Sequence, residues 1–310
     1  MIHIESFVRP PFLKVGDSVG VVAIASQVQE TPEQAGIILD RIRSWGLNVK
    51  LGKHLFDRSG GYFPASDAER SADLQAMIDD PAIKAIIFYR GGYGSVRTLD
   101  YLNLNKLLTA PKWFVGFSDI TVIHYALQHI GLESIHGNMP SLFITDLSKK
   151  DVSAESMRDA LFGRVSEYHT APFIYNQEGS ATGRLVGGNM ALIANVSATD
   201  IDNFYTTPSI LFMEDIDENI YAIDRRMQMF KRAGKLNNIK GLIFGYFTNT
   251  SGEDKWGSML PDLLHEYAQQ LDIPVLFNFP SGHELPNYSL YFGREVNLTV
   301  NANGGTLSFI

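Results

Sequence analysis

Along its first half the chain repeats one pattern: a run that is apolar at nearly every position, then a longer stretch whose apolar residues recur every three or four. SVGVVAIAS (18–26) is the first such run. NVKLG (48–52), AIKAIIFYR (82–90), WFVGF (113–117) and ESIHG (133–137) follow it as strand candidates. Helix candidates lie between them. PEQAGIILDRIRSWG (32–46) opens on Pro32, places Ile38, Ile42 and Trp45 at helical spacing and stops at Gly46. SDAERSADLQAMIDD (66–80) starts with Ser66 and Glu69, the spacing of a capping box. SVRTLDYLN (95–103) and DITVIHYALQHIG (119–131) read as two further helices. Strands with no polar face have to be covered on both sides, so this alternation predicts a parallel sheet between helical layers.

Between residues 147 and 179 the pattern fades. KKDVSAESMRDALFG (149–163) predicts a small helix, and EYHTAPFIYNQEGS (167–180) is polar and irregular, as a linker would be. The alternation resumes with GRLVGGNMALIANVS (183–197). ILFMED (210–215), IKGLIFGYF (239–247) and IPVLFNF (273–279) are strand candidates, separated by helical IYAIDRRMQMFKRAG (220–234) and MLPDLLHEYAQQL (259–271). The tail, EVNLTVNANGGTLSFI (295–310), reads as a hairpin turning at NANGG. The expected fold is α/β: an N-terminal Rossmann-like parallel-sheet domain over 1–150, a linker over 151–182, and a second α/β domain with additional antiparallel strands over 183–310.

A length of 310 residues suits two domains. The formal charge of -8 disfavours a broad nucleic-acid surface, and no dense Lys/Arg tract offsets it. The absence of cysteine removes disulfides, thiolate nucleophiles and thiolate metal sites. No stretch reaches about eighteen apolar residues, and the first residues lack the apolar core of a signal peptide. The expectation is a cytoplasmic protein without membrane insertion and without a nucleic-acid partner.

Ligands of parallel sheets gather beyond the carboxyl ends of the strands, and the candidate chemistry lies there. In KWFVGFSDIT (112–121) Ser118 stands where a strand gives way to a helix. It is either an N-cap or a nucleophile lifted on a tight turn. The surroundings are G-F-S-D-I: Gly116 fits a nucleophile elbow, and Ile120 replaces its second glycine. RGGYGS (90–95) follows another buried strand. Gly91 and Gly92 allow close backbone approach, and their N–H groups are candidates for half of an oxyanion hole; an ordinary βα turn is the plain alternative.

A serine needs a base, and the chain has eight histidines. His124 and His129 fall inside the helix after Ser118, where packing or surface roles are expected. His136 ends a short strand near the site. His283, in PSGHELPN (280–287), sits on a Pro- and Gly-flanked loop after a strand and is the best-placed base. ILFMEDIDE supplies the orienting carboxylate from Glu214 or Asp215, while Asp217 and Glu218 suit a solvated face. A divalent-ion site is the weaker use of these acids.

Taken in order, GFSD, GRLVGGN, ED-x-x-E and a late GH make the chain resemble the LD-carboxypeptidase family of serine peptidases. That family comprises the muramoyltetrapeptide carboxypeptidases and their relatives in microcin self-immunity. FLKVGDSVGVVAIAS, IIFYRGGYGSVRTLD, FVGFSDITVIHYAL, IHGNM, ILFMEDIDENIYAIDRRM and IPVLFNFPSGH carry the resemblance over nearly the whole length. It implies a Ser118–Glu214–His283 triad and chooses Glu214 over Asp215. It also implies an oxyanion hole from the backbone of Gly92 and Asp119, less surely Gly91. The implied reaction is hydrolysis of the amide before the terminal D-alanine of a murein tetrapeptide, in peptidoglycan recycling, by a homodimer that uses no metal or organic cofactor.

Arg90, Gly91 and Tyr93 are candidates for substrate contact, and Arg225 and Arg226 for a salt bridge across domains. The rival activities are cleavage of peptidyl-aminoacyl-adenylates, as in microcin self-immunity, acyl transfer by the same nucleophile, and non-catalytic binding of a murein peptide. The chain departs from the family at AIASQ after the first strand, at ATDIDNFY (198–205) and at GHELPN.

Overall fold

The computed structural model describes residues 7–202 and 208–310. The chain folds into two compact units. One runs to Arg164 and takes back Tyr288–Tyr291; the other comprises Val165–Asn287 and Phe292–Ile310.

In the first unit, β1 (Ser18–Val22), α1 (Pro32–Ser44), β2 (Asn48–Leu51), α2 (Asp67–Asp79), β3 (Ile83–Phe88), β4 (Trp113–Gly116), α3 (Thr121–His129), β5 (Ser134–His136) and α4 (Val152–Leu161) follow in order. Local signals set the helix starts. Thr31 and Gln34 close a capping box on α1, and Ser66 and Glu69 close another on α2. β1 pairs in parallel with β2 and β3, β3 with β4, and β4 with β5. Val19, Val21, Ile86, Ile87, Phe114 and Val115 are fully buried, as strands covered on both faces require.

The expected helix over 95–103 is instead a 3-10 helix, Ser95–Tyr101. Its first N–H is taken by the Asp119 carboxylate at 2.8 Å, and the Thr98 hydroxyl donates to the Ser95 carbonyl at 2.7 Å. Ser95 N–H is one of the groups a helix start leaves without a partner inside the helix, and Asp119 satisfies it from outside the segment. β1 is also shorter than its apolar run. Residues 23–26 remain buried but leave the ladder, where Gln27 N–H bonds the Tyr62 carbonyl.

The second unit contains β6 (Glu167–Thr170), β7 (Gly179–Asn189), α5 (Met190–Asn195), β8 (Ser209–Ile216), α6 (Ile220–Arg232), β9 (Ile239–Thr248), α7 (Glu253–Trp256), α8 (Leu260–Ala268) and β10 (Val275–Leu276). β11 (Leu290–Phe292) then extends the first sheet next to β5, and β12 (Glu295–Asn301) and β13 (Gly304–Phe309) form the terminal hairpin. The second sheet has the order β10-β9-β8-β7-β12-β13-β6. It is parallel from β10 to β7 and antiparallel from β7 to β6.

Two expectations need correcting here. EYHT is not irregular: it is the edge strand β6, paired with β13, and its one aromatic residue, Tyr168, packs against Phe279 and Phe309. IPVLFNF yields just two strand residues, because Pro274 precedes them without an N–H and Asn278 turns the chain with φ of 61°. In the segment 198–205, residues 203–205 lie outside the described residues.

Candidate active site

The elbow is built from β4 outward. Phe117 is extended, Ser118 has φ of 61°, and a 3-10 turn, Ser118–Ile120, leads into α3. A left-handed backbone at a residue with a Cβ costs about 1–3 kcal/mol and persists only where its surroundings enforce it. Here they do. A Cβ on Gly116 would stand 2.9 Å from Ile120 Cγ1, so the position vacated by the missing second glycine is filled by a side chain packed on the first. Neither the 3-10 turn nor α3 receives a side-chain cap. Of the two uses foreseen for Ser118, capping is therefore not the one the fold makes of it.

His124 braces the elbow from behind. It is fully buried, with Nε2 at 2.9 Å from the Gly116 carbonyl and Nδ1 at 2.8 Å from Ser134 Oγ. A carbonyl can only accept, so Nε2 carries the proton and Nδ1 accepts from the serine. Burial pushes the imidazole down to about 4, which keeps it neutral in this role. His136 is also buried, its ring 5.8 Å from that of Phe117. Both histidines pack behind the elbow.

The glycine-rich turn lies against the serine. A Cβ on Gly91 would come within 3.3 Å of Ser118 Cβ and 3.5 Å of its Oγ. Gly92 has φ of 111°, and a Cβ there would stand 2.2 Å from Ser26 Oγ, so only glycine suits both the backbone and the space. The same Ser26 hydroxyl donates to the Gly91 carbonyl at 2.8 Å. The serine that ends the divergent AIAS run thus holds the turn, a role its sequence context did not reveal. Asp119 ties turn to elbow through its bond from Ser95 N–H; burial raises its pKa, opposed by that bond and by Arg70. Arg90 donates from Nη1 to the Gln27 carbonyl at 2.7 Å. Tyr93 is half exposed, beside the rings of Tyr62 and Phe63.

The second unit holds the imidazole and the acids. Glu214, near the end of β8, is completely buried, and its Oε2 lies 2.6 Å from His283 Nδ1. Burial alone would lower the histidine's pKa. The negative charge of Glu214 and its hydrogen bond, joined by Asp215 and Asp217, outweigh burial and raise it. The loop that presents His283 is pinned by Asn287, whose Oδ1 accepts from Ser281 Oγ at 3.0 Å and from Gly282 N–H at 3.1 Å. Gly282, with φ of 133°, leaves room that a Cβ would take within 3.2 Å of Glu214 Oε2. The unusual GHELPN is therefore a self-bonded loop that fixes the ring.

The remaining acids have separate partners. Asp215 Oδ1 accepts from Asn189 Nδ2 at 2.9 Å and from Ile216 N–H at 3.0 Å, and Oδ2 lies 3.6 Å from Arg226 Nη1. Burial and the neighbouring Glu214 push its pKa up to about 7, against the pull of Arg226. Arg226 also donates to Glu218 at 2.6 Å, and Asp217 accepts from Asn249 at 3.2 Å. Among the described residues no group of three or more His, Asp or Glu side chains is arranged to hold a metal ion. The expected cross-domain bridge from Arg226 is corrected: both of its carboxylate partners are in its own unit. Arg225 instead lies over the ring of Tyr221 at 5.3 Å.

Residues 19–137 match the LD-carboxypeptidase N-terminal domain, and residues 182–298 match the LD-carboxypeptidase C-terminal domain. A Bacillus subtilis protein named "Probable murein peptide carboxypeptidase" is 34% identical, over 93% of this chain and 90% of its own. The chain belongs to the LD-carboxypeptidase family. As a member it is a serine-type carboxypeptidase with the two α/β domains of that family. The murein tetrapeptide carboxypeptidase of Pseudomonas aeruginosa is 27% identical over 90% of this chain and 91% of its own. The crystal structure of the muramoyltetrapeptide carboxypeptidase from Oxalobacter formigenes superposes with a TM-score of 0.83 at 26% identity, covering 94% of this chain and 98% of that one. The microcin C7 self-immunity protein, in complex with aspartyl sulfamoyl adenosine, shares the fold at a TM-score of 0.84 and 19% identity, with 98% of each chain covered.

In this LD-carboxypeptidase the structure brings Glu214 to His283 within the second unit. Within the first it brings Gly91 against Ser118, with Gly92 beside Ser26 and Asp119 bonded to Ser95. Sequence reasoning missed Ser26, Asn189 and Asn287. Each is a small polar residue beside a glycine-rich or strand-end motif, and only tertiary hydrogen bonding distinguishes them. Among the described residues no helix is long and apolar enough to cross a membrane.

Proposed function

We propose that this carboxypeptidase removes the terminal D-alanine from murein tetrapeptides, with Ser118, His283 and Glu214 as its triad. The observation that carries the reading is the 2.6 Å bond between the buried Glu214 and His283 Nδ1. A carboxylate can only accept, so Nδ1 bears a proton and the lone pair of the neutral ring is left on Nε2. Nε2 takes the Ser118 proton as Oγ attacks the carbonyl carbon, and Glu214 stabilises the imidazolium that results. The N–H groups of Gly92 and Asp119 receive the tetrahedral oxygen, each contributing about 3 kcal/mol in the transition state. The imidazolium then protonates the departing amine of D-alanine. Water, deprotonated by the same nitrogen, releases the acyl group.

The names and identities of the murein-active relatives support this substrate. Arg90, Gly91 and Tyr93 are the proposed contacts of the peptide. The reaction suits a cytoplasmic homodimer acting in peptidoglycan recycling, with residues 1–150 carrying the nucleophile and 183–310 the base and its carboxylate. The test is incubation with a murein tetrapeptide and mass detection of the tripeptide and D-alanine, with Ser118→Ala as control. An unchanged tetrapeptide sinks the substrate assignment. Cleavage of an aminoacyl sulfamoyl adenosine instead would move the activity to the antibiotic class.

A further inference from the structure

Glu30 is a half-buried carboxylate with no ion pair among the described residues. It lines an open cleft of about 480 Å³ in the first unit, between the start of α1 and the loop that follows β5. Ile37, Ile38 and Phe143 give the cleft an apolar wall, and Ser141 and Thr145 add hydroxyl groups to its lining. Glu30 Oε2 is buried without a hydrogen-bond partner. Two arginines come to the same loop, but both are engaged by carbonyls. Arg90 Nη1 donates to Gln27 at 2.7 Å, and Arg58 Nη2 donates to Val28 and Gln29 at 3.4 Å. Burial first, and then Glu30, raise the pKa of the buried Tyr89 hydroxyl, so this neighbour of the carboxylate is a neutral phenol and not a cation. A partly desolvated carboxylate without a counter-charge costs free energy, and the cleft beside it is where a cation can supply one.

Two short stretches of chain join this cleft to the elbow. Ser26, four residues before Glu30, donates to the Gly91 carbonyl at 2.8 Å. Met139, two residues before Ser141, has its Cε 3.3 Å from the place a Gly91 Cβ would take. Ser141 N–H in turn bonds the Tyr89 carbonyl at 3.0 Å, just past β3. Gly91 itself lies against Ser118. Both walls of the cleft therefore start from the turn that abuts the proposed nucleophile. We infer that the cleft is a subsite for the side-chain ammonium of the diamino acid that precedes D-alanine, with Glu30 as its anion. The inference rests on the murein reading above: that residue forms the ester with Ser118, so its side chain has to lie within reach of the elbow. Ile37, 54% exposed, covers the methylenes together with Ile38 and Phe143, and the carboxylate takes the charged head.

The test uses the full chain and two synthetic tetrapeptides, L-Ala-γ-D-Glu-L-Lys-D-Ala and the same peptide acetylated on the lysine amine. Wild-type kcat/KM is expected to fall at least about tenfold on acetylation, mainly through KM. Glu30→Gln is expected to slow the free-amine peptide by a similar factor and to leave the acetylated one alone, so the ratio moves toward one. A wild type indifferent to acetylation, or a Glu30→Gln variant that still discriminates by the full factor, overturns the inference. The same peptides titrated by calorimetry into Ser118→Ala, with and without Glu30→Gln, read the subsite in the absence of turnover. Binding of the free-amine peptide at least about tenfold tighter, and lost in the double variant, supports the inference even where the wild type releases no D-alanine; only the substrate assignment then sinks. Equal or undetectable binding of the two peptides to Ser118→Ala overturns it. If Glu30→Gln does not fold, the wild-type and Ser118→Ala comparisons decide by themselves.

Discussion

Glu214→Gln keeps the size and shape of the residue beneath His283 and removes its charge. The wild-type imidazole has its pKa raised above the ordinary 6.5, because Glu214 and the acids near it outweigh burial. Such a group contributes stability that is fully present below 6.5 and is lost as pH rises through its folded pKa. Without the Glu214 charge the burial cost is met only by Asp215 and Asp217, which act less strongly. A fall of about two units in the folded pKa corresponds to about 3 kcal/mol. That loss is felt where the ring is protonated and vanishes where it is neutral. The substitution should therefore cost about 2–3 kcal/mol more at pH 5 than at pH 9. Guanidinium denaturation of the full chain at the two pH values, followed by circular dichroism, measures the difference directly. Activity supplies an independent reading: an amide cannot stabilise imidazolium, and kcat should drop by about 10^3–10^4. An equal stability cost at both pH values, or a larger one at pH 9, would refute the claim that the Glu214 charge sustains the protonated ring.

Three further outcomes are expected. Ser118→Ala and Ser118→Gly should both lose activity by several orders of magnitude. The glycine variant should be about 1 kcal/mol more stable than the alanine one in thermal melts, since only glycine is unstrained at a φ of 61°; equal stability would remove the strained elbow. Gly91→Ala places a methyl group about 3.5 Å from the Ser118 oxygen and should lower kcat/KM at least about tenfold with little change in melting temperature. His124, held near 4 by burial, has a depressed folded pKa, so its share of stability is present above 6.5 and is lost as pH falls toward 4, at about 1.4 kcal/mol per unit. His124→Gln should flatten that acid slope, seen in denaturation midpoints taken across the window.

The Glu214–His283 contact was more legible than the scaffolding around it, and the reason is geometric. Ser118, Glu214 and His283 each stand just past an apolar run, and in a parallel sheet that position is where ligands gather. Capping boxes at Thr31 and Ser66 are local and can be read locally. Neither the edge strand β6 nor the 3-10 geometry after Gly94 could be read that way. The first depends on pairing with β13, more than a hundred residues later, and the start of the second is bonded to a carboxylate, Asp119, that lies outside the segment. Asp215 shows the limit inside a single motif. ED reads as one carboxylate with a spare, and only burial and the Asn189 and Arg226 contacts reveal that the spare is sealed and charge-compensated.

Each unit fixes its own candidate site residues by internal bonds. In the first, His124 grips the Gly116 carbonyl, Asp119 grips Ser95, and Ser26 grips Gly91, so a strained serine and a glycine turn are held by bonds within that unit. In the second, Asn287 clamps the His283 loop and Asn189 clamps the acids at the end of β8. Preorganisation of this kind lets the electrostatic work be done before substrate arrives. The first unit holds the left-handed Ser118 and the buried neutral His124, and the second holds the Glu214–His283 pair. Acid therefore acts on the two parts with opposite sign. Falling pH weakens the unit that must bury a neutral His124 and strengthens the one that holds a protonated His283. A stability profile of the whole chain sums the two, so the single-site variants His124→Gln and Glu214→Gln are needed to separate them.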